Sequence, residues 1–561
     1  MSNGWIWSYY RRIMAKTPLL AAIQRRFLEH RALRAAGLPL AAADELRGRG
    51  LERAKYSAEA KGLSRRSFLA GLGAGAVVLG APRIVRAAAS APTIAVVGGG
   101  IAGLSCALAL ADKNIASTVY EAAGRIGGRM FSNTSGYWQN GQVSEWCGEL
   151  IDTGHATVRA LAKRFGLPLD NLLAAQPAGS QDTYRLGGGY YSVAQAKIDF
   201  APVFDAVTAD LNAAGYPTTF DSFNAAGAQL DSLSVHQWIA TRVPGGHGSP
   251  MGQLLDLAYA IEYGADTTDQ SALSLVYLLG YQPKPHGFAV FGESDERYHI
   301  RGGNQQLPQA IADSLAPGSV KLGHRMTRIK QTPAGRYCVT FEHGNCTTDV
   351  TADYVVMALP FAVLRGLDYS QAGFDSLKNE AIQDLGRGHN GKLQVQVSGR
   401  IWNQTGPWPG VGNGSTYADT GYQASWDVTR AQAGATGIMC LYSGGSVTNA
   451  MKASGAFGTV TAAGVGADVT AGLARINPVF PGFTALYNGK ATQSLPHKSP
   501  FFGASYSYFR VGQYTGFSGY EGANQGGVLF CGEHTSTDFQ GFMEGGASEG
   551  QRAGNALVKL I

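Results

Sequence analysis

The sequence predicts an α/β protein with a parallel sheet, and three observations support this fold class. An apolar strand at residues 93–97 runs directly into a glycine-rich turn and a helix, and the strand that follows ends on an acidic residue. A second strand–turn–helix unit lies near the C-terminus, at residues 527–557. Between these units, strand-like and helix-like segments alternate, which is typical of a parallel sheet covered by helices.

Composition and charge exclude several classes of protein. The 561 residues are 45% hydrophobic and 15% charged, as in a packed globular protein, so general disorder is excluded. No uninterrupted apolar run reaches about 18 residues, which argues against a multi-span membrane protein. Residues 1–89 contain sixteen Lys/Arg and five Asp/Glu, whereas the whole chain carries only +6, so the remainder is acidic. Because the basic charge lies in the leader, we expect no nucleic-acid partner.

Residues 1–89 are interpreted as a leader with a twin-arginine signal. Arg65 and Arg66 precede a short apolar stretch that ends at Pro82, and small residues follow up to Ala89. That stretch is too short to span a hydrocarbon core of about 30 Å. We therefore expect folded export by the twin-arginine machinery, cleavage near Ala89 and a periplasmic or secreted location. A buried helix is the alternative, and more than sixty residues before the arginine pair leave the true start open.

The six cysteines are too few and too scattered for a disulfide framework, and they show no Cys/His metal spacing. We therefore expect no metal site. Cys338 and Cys346 flank the turn of a predicted hairpin, where export would permit a cross-strand disulfide. Free thiols are the favoured interpretation.

The turn after the first strand carries the pattern of a Rossmann-type dinucleotide-binding unit. Gly98 allows a tight turn, Gly100 lets the backbone approach a pyrophosphate, and Gly103 lets the helix pack on the strand. The free N–H groups at the helix N-terminus favour phosphate. Glu121, about 20 residues further along, ends the second strand, where a carboxylate can accept hydrogen bonds from ribose hydroxyls.

The residues after Glu121 favour FAD over NAD. Arg125, Gly128 and Arg129 form an Arg-x-Gly-Gly-Arg turn, in which two arginines can reach a pyrophosphate. This segment resembles that of the flavin-containing amine oxidase family, which includes monoamine and polyamine oxidases, L-amino-acid oxidases and carotenoid desaturases. The resemblance implies a monoamine oxidase-like fold, with Gly148 also near the cofactor.

The C-terminal unit resembles the closing flavin segment of that family. By resemblance, Gly532 and Glu533 contact the ribityl or phosphate region, and the Met543 backbone faces the flavin's pyrimidine edge. The backbone near Met326 is similar to the segment that meets adenine. Ala504 stands where mitochondrial-type monoamine oxidases carry a flavin-linking cysteine, so we expect non-covalent FAD.

Two residues are predicted to be catalytic by this resemblance. Lys392 lies ten residues before Trp402, a spacing at which amine oxidases hold a water against flavin N5; a solvent-facing lysine is the alternative. Phe542 would form one wall of an aromatic cage that orients the amine. Ser505 replaces the other wall. Trp138, Trp146, Trp402 and Trp426 are interpreted as core aromatics.

The resemblance implies hydride transfer from the carbon next to a neutral amine to flavin N5, with O2 or another acceptor reoxidising the flavin. L-amino-acid oxidation is the nearest alternative; it is disfavoured because residues 145–151 lack the arginine that binds a carboxylate, although Arg159 or Arg301 can substitute. Glu149 and Asp152 can attract a second cationic centre. A desaturase or protoporphyrinogen oxidase-like enzyme and a flavoprotein without turnover stay open, as does a homodimer.

The predicted FAD-binding domain is discontinuous and comprises residues 91–165, 296–368 and 500–561. Residues 166–295 and 369–499 would form an α+β substrate-binding domain. We expect the active site at the junction of the two, where ligand cavities commonly form.

Overall fold

A computed structural model describes residues 91–284 and 287–561, and the predicted twin-arginine leader lies outside the described residues. The strands are β1 (Ile94–Val97), β2 (Thr118–Tyr120), β3 (Ser132–Asn133), β4 (Ser144–Glu145), β5 (Leu169–Asn171), β6 (Gln181–Leu186), β7 (Gly189–Tyr191), β8 (Tyr298–Ile300), β9 (Val320–Lys321), β10 (Arg325–Gln331), β11 (Tyr337–His343), β12 (Cys346–Ala352), β13 (Tyr354–Met357), β14 (Asp368–Gln371), β15 (Gly386–Arg387), β16 (Asn390–Val397), β17 (Gly412–Ala418), β18 (Ala424–Asp427), β19 (Gly437–Gly444), β20 (Phe457–Thr459), β21 (Tyr487–Ser494), β22 (Ser507–Tyr508) and β23 (Val528–Phe530).

The α-helices are α1 (Ile101–Ala111), α2 (Ala156–Arg164), α3 (Val193–Ala214), α4 (Ala225–Asp231), α5 (Val235–Arg242), α6 (Pro250–Tyr263), α7 (Ala272–Leu279), α8 (Gln306–Ser314), α9 (Phe361–Leu364), α10 (Ser376–Asp384), α11 (Gly445–Asn449), α12 (Val465–Ile476), α13 (Gln513–Gly516) and α14 (Met543–Leu560). Short 3-10 turns occur at Gln139–Gly141, Gly246–Gly248, Ile401–Asn403, Phe483–Leu486, Pro496–Lys498 and Glu533–Thr535. No helix in the described ranges is both long and apolar enough to cross a membrane.

A five-stranded parallel sheet with the order β23-β13-β1-β2-β9 forms the centre of the cofactor-side architecture. In its register, Val96 lies opposite Val119 on one side and Val356 on the other. The predicted α/β fold class with a parallel sheet is confirmed. The sheet draws its strands from three separate stretches of chain, which all lie within the predicted FAD-binding segments; the domain boundaries themselves stay predictions.

Both faces of the parallel sheet are buried, which explains why β1 is an unbroken apolar run. Val96 packs into the core that contains α1 and α14, whereas Val97 packs into the core on the opposite face. Helices α1 and α14 approach closely because glycine faces the contact: a Cβ on Gly550 would come within 2.1 Å of the Ala102 carbonyl oxygen. The first and last helices are therefore packed backbone to backbone beside the glycine-rich turn.

An eight-stranded sheet with the order β20-β21-β16-β19-β18-β17-β6-β7 forms the second layer. Helices α3, α5, α6 and α7 contribute a separate hydrophobic core that includes Trp238 and Tyr259. Strand β16 lies inside this sheet and is buried along its whole length, so Lys392 on β16 does not face solvent. The solvent-facing alternative for Lys392 is therefore wrong.

The two cysteines of the hairpin are not opposite each other. In the β11–β12 register Cys338 lies across from Thr351, and Cys346 lies across from His343, next to the turn. Both thiols are free, which agrees with the favoured interpretation. A cross-strand disulfide between them would require a different register.

Three helices begin within or next to glycine-rich segments. Helix α1 starts at Ile101, inside the glycine motif, and α14 starts at Met543, so its glycine-rich entrance is itself helical. Helix α12 starts at Val465 because Gly464 occupies the left-handed region at φ 84°. Local composition marks these helices, but backbone packing sets where each of them starts.

Candidate active site

A cavity of about 700 Å³ lies where the parallel strands end. Val97 ends β1, Tyr120 ends β2, Ala358 follows β13 and Gly532 lies just after β23, and all four line the cavity. Ligands of open α/β sheets bind outside the carboxyl ends of the strands, so this is the expected place for a dinucleotide. The cavity also reaches β16, β17 and β18 of the eight-stranded sheet and is large enough for a cofactor with a small substrate.

Most of the residues predicted from sequence line this one cavity. They are Gly98, Gly100, Glu121, Gly128, Arg129, Gly148, Met326, Lys392, Gly532, Glu533, Phe542 and Met543. Gly103 and Arg125 lie outside the lining. The positions agree with a shared site, although the role of each residue in cofactor binding stays a prediction.

The glycine turn leaves a cradle that fits a pyrophosphate. Gly98 has φ +111°, and a Cβ there would come within 2.6 Å of the Ala358 carbonyl oxygen. A Cβ on Gly103 would lie 2.0 Å from the Gly98 carbonyl oxygen, so Gly103 serves helix packing. At Gly100 the same Cβ would meet only the Gly128 Cα, at 3.9 Å, and otherwise open space. Backbone can therefore approach a phosphate at Gly100.

Glu121 is held in place by the same turn. Its carboxylate accepts hydrogen bonds from the backbone N–H groups of Gly99, at 2.6 Å, and Ala123, at 2.7 Å. Burial raises the pKa of Glu121, while these two bonds oppose the rise. The side chain lines the cavity, in the position predicted for a ribose partner.

The structure corrects the prediction for Arg125. Its guanidinium donates to the carbonyl oxygens of Ile126 and Gly128 and lies 3.6 Å from the centroid of the Phe131 ring. Because its donors point into its own loop, Arg125 braces the turn rather than reaching the cavity. Arg129 does line the cavity.

Glu533 links Arg129 to the C-terminal unit. Arg129 donates to Glu533 Oε1 at 3.1 Å and to the Ser505 carbonyl oxygen at 2.7 Å. The other carboxylate oxygen of Glu533 accepts from the Ser507 hydroxyl and the Gly541 N–H. Burial raises the pKa of Glu533, but the Arg129 charge and these bonds outweigh burial and leave the pKa below its ordinary value. Glu533 therefore carries a negative charge that fixes the cavity wall.

Gly148 lies in close contact with the Met543 side chain. A Cβ on Gly148 would come within 2.9 Å of the Met543 sulfur. Asn304 donates to the carbonyl oxygens of Gly148 and Glu149, at 3.1 and 2.7 Å, and so fixes this segment. Asn304, which follows Gly302 and Gly303 in the chain, was not predicted as a site residue.

Lys392 forms a buried ion pair that the sequence did not predict. Its ammonium donates to Glu149 Oε2 at 2.7 Å and to the Cys147 carbonyl oxygen at 2.6 Å. Trp426 donates to the other oxygen of Glu149 at 2.8 Å, and the Lys392 nitrogen lies 5.4 Å from the centroid of the Trp426 ring. Trp426 and Trp146 line the cavity, so their interpretation as core aromatics is wrong, whereas Trp138 and Trp402 lie in hydrophobic cores.

Both members of the ion pair are charged. Burial lowers the pKa of Lys392, but the charge and hydrogen bond of Glu149, with smaller contributions from Cys440 and Glu145, together outweigh burial, so the pKa lies above its ordinary value. Burial raises the pKa of Glu149, and the Lys392 charge with hydrogen bonds from Lys392 and Trp426 brings it below its ordinary value. Because an ammonium has three N–H groups, one remains for a ligand in the cavity.

Aromatic side chains surround the part of the cavity beyond Lys392. Phe542 lies in the wall with its ring 5.3 Å from the His155 imidazole. Tyr442 packs edge-on against Trp426 at 5.1 Å, and its hydroxyl lies 3.1 Å from that of Tyr506. Ser505, which replaces an aromatic in the family pattern, donates to the Asn390 side chain at 2.6 Å. Besides Phe542, the aromatic side chains that line this part of the cavity therefore include Tyr442, Tyr506 and Trp426, and Ser505 contributes none.

Two carboxylates in the cavity wall were also not predicted. Glu262, on α6, and Glu296 have no hydrogen-bond or ion-pair partner for their side chains among residues 91–284 and 287–561. Burial, with repulsion from Glu296 and Asp152, raises the pKa of Glu262 to about 8. Burial, with repulsion from Asp152, raises the pKa of Glu296 to about 7.

The two arginines considered as carboxylate partners are used elsewhere. Arg159 donates to the Thr153 carbonyl oxygen and stacks on Tyr298, and Arg301 pairs with Asp170 at 2.7 Å. Neither lines the cavity. Asp152 accepts from the Glu296 N–H and pairs with His155, so it too is occupied.

The cradle and the adjoining aromatic chamber define a dinucleotide-dependent oxidoreductase. Residues 101–558 match the model of the flavin containing amine oxidoreductase family, and the chain belongs to that family. It is therefore an FAD-dependent enzyme that oxidises amines, and the predicted monoamine oxidase-like fold and cofactor are confirmed.

Three known proteins are similar to this chain. The nicotine dehydrogenase of Pseudomonas putida (strain DSM 28022 / S16) is 26% identical over 534 residues, which cover 89% of this chain and 98% of that protein. The L-amino acid dehydrogenase of Synechocystis sp. (strain ATCC 27184 / PCC 6803 / Kazusa) is 26% identical over 60% of this chain and 70% of its own length. The cyclohexylamine oxidase from Brevibacterium oxydans IH-35A superposes with a TM-score of 0.70 at 20% identity, covering 84% and 99% of the two chains.

Proposed function

We propose that the protein catalyses oxidative deamination of a primary or secondary amine. Amine, water and an electron acceptor give an aldehyde or ketone, ammonia or a smaller amine, and the reduced acceptor. Bound FAD supplies the two-electron acceptor, at flavin N5, for the hydride that leaves the carbon next to nitrogen. The observation that carries the proposal is the buried Lys392 ammonium, which has a free N–H at an aromatic cavity wall.

Lys392 positions water in this proposal. Two of its N–H groups are fixed by Glu149 and the Cys147 carbonyl oxygen, so the third has a defined direction. A water bound there is available to hydrolyse the imine that amine oxidation produces. Glu149 acts through Lys392, because its carboxylate keeps the Lys392 ammonium charged and fixes its position.

The walls of the cavity orient an uncharged amine. Phe542 and the Trp426–Tyr442 pair present ring faces and edges that bury the apolar part of a substrate. FAD is held without a covalent bond, because Ala504 offers no thiol to link it.

Amines fit this cavity better than L-amino acids. A carboxylate substrate needs a cationic partner, and Arg159 and Arg301 are both committed outside the cavity. Once ionised, Glu296, with a pKa of about 7, and at higher pH Glu262, with a pKa of about 8, would repel a carboxylate and attract a cation. We therefore propose an amine with a second cationic centre, and these two residues take the role first considered for Glu149 and Asp152.

The electron acceptor in this proposal is a molecule other than O2. Support comes from the nicotine dehydrogenase, which matches 89% of this chain and is a dehydrogenase by name.

We also propose that the protein is exported folded by the twin-arginine route, cleaved near Ala89 and released to the periplasm or outside the cell. Sequencing the N-terminus of the mature protein tests the export route and the cleavage position.

Product analysis tests the reaction itself. Purified holoenzyme is incubated with monoamines, diamines and L-amino acids in the presence of an artificial two-electron acceptor, and carbonyl product and released ammonia or amine are quantified. We expect one carbonyl and one amine per acceptor reduced, with diamines preferred over monoamines. Carbonyl product only from L-amino acids would contradict the proposal.

A further inference from the structure

Three metal-ligating side chains meet on the surface of the helical core, outside the active-site cavity. His236 lies in the first turn of α5, His247 lies in the 3-10 turn Gly246–Gly248, and Asp256 lies on α6. One ligand atom from each lies within 4.8 Å of the others. The Nδ1 atoms of both histidines are 3.9 Å from Asp256 Oδ1. The two imidazole rings stack with centroids 3.8 Å apart.

The hydrogen bonds around this cluster orient a lone pair toward its centre. His247 Nε2 lies 3.0 Å from the His236 carbonyl oxygen, which can only accept, so Nε2 carries the proton. In the neutral ring the lone pair of His247 Nδ1 then faces Asp256. A metal-binding histidine typically donates its other N–H to a carbonyl or carboxylate in this way.

The neighbouring backbone holds the cluster in shape. Thr267 donates its hydroxyl to Asp256 Oδ1, and its carbonyl oxygen accepts from the His236 N–H. A Cβ on Gly252 would come within 2.0 Å of the Gly246 carbonyl oxygen, so the turn that carries His247 packs directly on the start of α6. The backbone therefore brings the three side chains together before any ion arrives.

We propose that His236, His247 and Asp256 bind one divalent transition-metal cation, with Zn²⁺ as the best match. Two imidazole nitrogens and one carboxylate oxygen are typical zinc ligands, and water completes a tetrahedral site. Zinc bonds of about 2.1 Å set ligand atoms roughly 3.4 Å apart, so the nitrogen and oxygen atoms, 3.9 Å apart here, must move closer, and one of the two stacked imidazole rings must turn so that both lone pairs meet the ion. The side chains are 27% to 44% exposed, so the ion enters without unfolding.

This ion would join α5 to α6 through the intervening turn. The sequence pattern missed the site because its ligands are eleven and nine residues apart on three different elements. Local spacing reveals a metal site only when the ligands share one helix or one hairpin.

Zinc titration of the holoenzyme tests the proposal. Protein stripped with EDTA is titrated with ZnCl2 against a chromophoric chelator, and thermal unfolding is followed with and without the ion. We expect one Zn²⁺ per chain and a rise in the unfolding midpoint. His247→Gln and Asp256→Asn should each weaken binding at least about tenfold, as loss of a ligand does.

His343→Gln is the matched control. His343 also stacks on a second histidine, His324, with centroids 4.3 Å apart, and it is likewise a surface imidazole. This control should bind zinc as the native protein does, and flavin absorbance per chain shows that all variants fold. Absence of stoichiometric binding in the native protein, or binding that survives both Asp256→Asn and His247→Gln, would overturn the proposal.

Discussion

Breaking the ion pair between Lys392 and Glu149 should strongly lower the free energy of unfolding of the protein. The two side chains are 9% and 6% exposed, and the distance between Nζ and Oε2 is 2.7 Å. Removing one partner of a buried pair leaves an uncompensated charge, which costs about 3 to 5 kcal/mol. We therefore expect Glu149→Gln and Lys392→Met each to lower the free energy of unfolding by about that amount.

The stability of the double variant, compared with that of each single variant, tests whether the two charges interact. Once Lys392 and Glu149 are both replaced, no charge is left unpaired, so the double variant should be more stable than either single variant. Urea unfolding of the four proteins, followed by tryptophan fluorescence, gives the coupling energy through a double-mutant cycle. If the losses in free energy of unfolding of the two single variants simply add in the double variant, with no coupling energy, the assignment of a buried ion pair is refuted.

The pH dependence of this effect has a definite sign. The pKa of Glu149 is lowered on folding, so its contribution is present above the ordinary value of 4.5 and lost as pH falls through the folded value. The pKa of Lys392 is raised, so its contribution is present below 10.5 and lost as pH rises through the folded value. The stability difference between native protein and Glu149→Gln should be constant from about pH 6 to 9 and shrink in acid.

Three further predictions concern the cavity. Gly100→Leu should fill the phosphate cradle and cut the flavin bound per purified chain about tenfold, whereas Gly124→Leu, at a glycine with open space around it, should leave flavin content unchanged. Because the pKa of Glu296 is about 7, kcat/KM for a diamine should rise from pH 6 to 8 as this carboxylate ionises. Glu296→Gln should reduce the rise for diamines relative to monoamines; an unchanged difference between the two profiles in the variant argues against this role. Phe542→Ala should lower kcat/KM about three- to tenfold because the aromatic contact with the substrate is lost. Phe542→Tyr keeps the ring and should leave kcat/KM near the native value. Equal losses in both variants would exclude an orienting role for the ring.

Local pattern was sufficient to predict residues beside the parallel sheet, and most of these line the cavity. A strand, three spaced glycines, a helix and a terminal acid must be consecutive in the chain, because one turn of backbone forms the cradle. Gly532 and Glu533 likewise follow their strand, β23, closely in the chain, so local pattern also locates them. Arg125 is the exception, since its sequence position is right but its guanidinium turns back into its own loop.

The substrate side depends on contacts that no local pattern contains. Lys392 and Glu149 are 243 residues apart in the chain, and the pair exists only because β16 passes beside the segment after β4. Glu262 and Glu296 come from different elements and have no local motif. Trp426 was interpreted as a core aromatic because tryptophans are more often core residues than substrate contacts, but its N–H donates to Glu149.

Anaerobic reduction of the bound flavin tests the central claim most directly. Purified holoenzyme is mixed without O2 with monoamines, diamines, polyamines and L-amino acids, loss of the yellow flavin absorbance is recorded, and air is then readmitted. We expect bleaching by amines, fastest with those that carry a second cationic group, no bleaching by L-amino acids and slow return of colour in air. Bleaching by L-amino acids alone would show that the cavity binds a carboxylate and would contradict the assignment of Glu262 and Glu296.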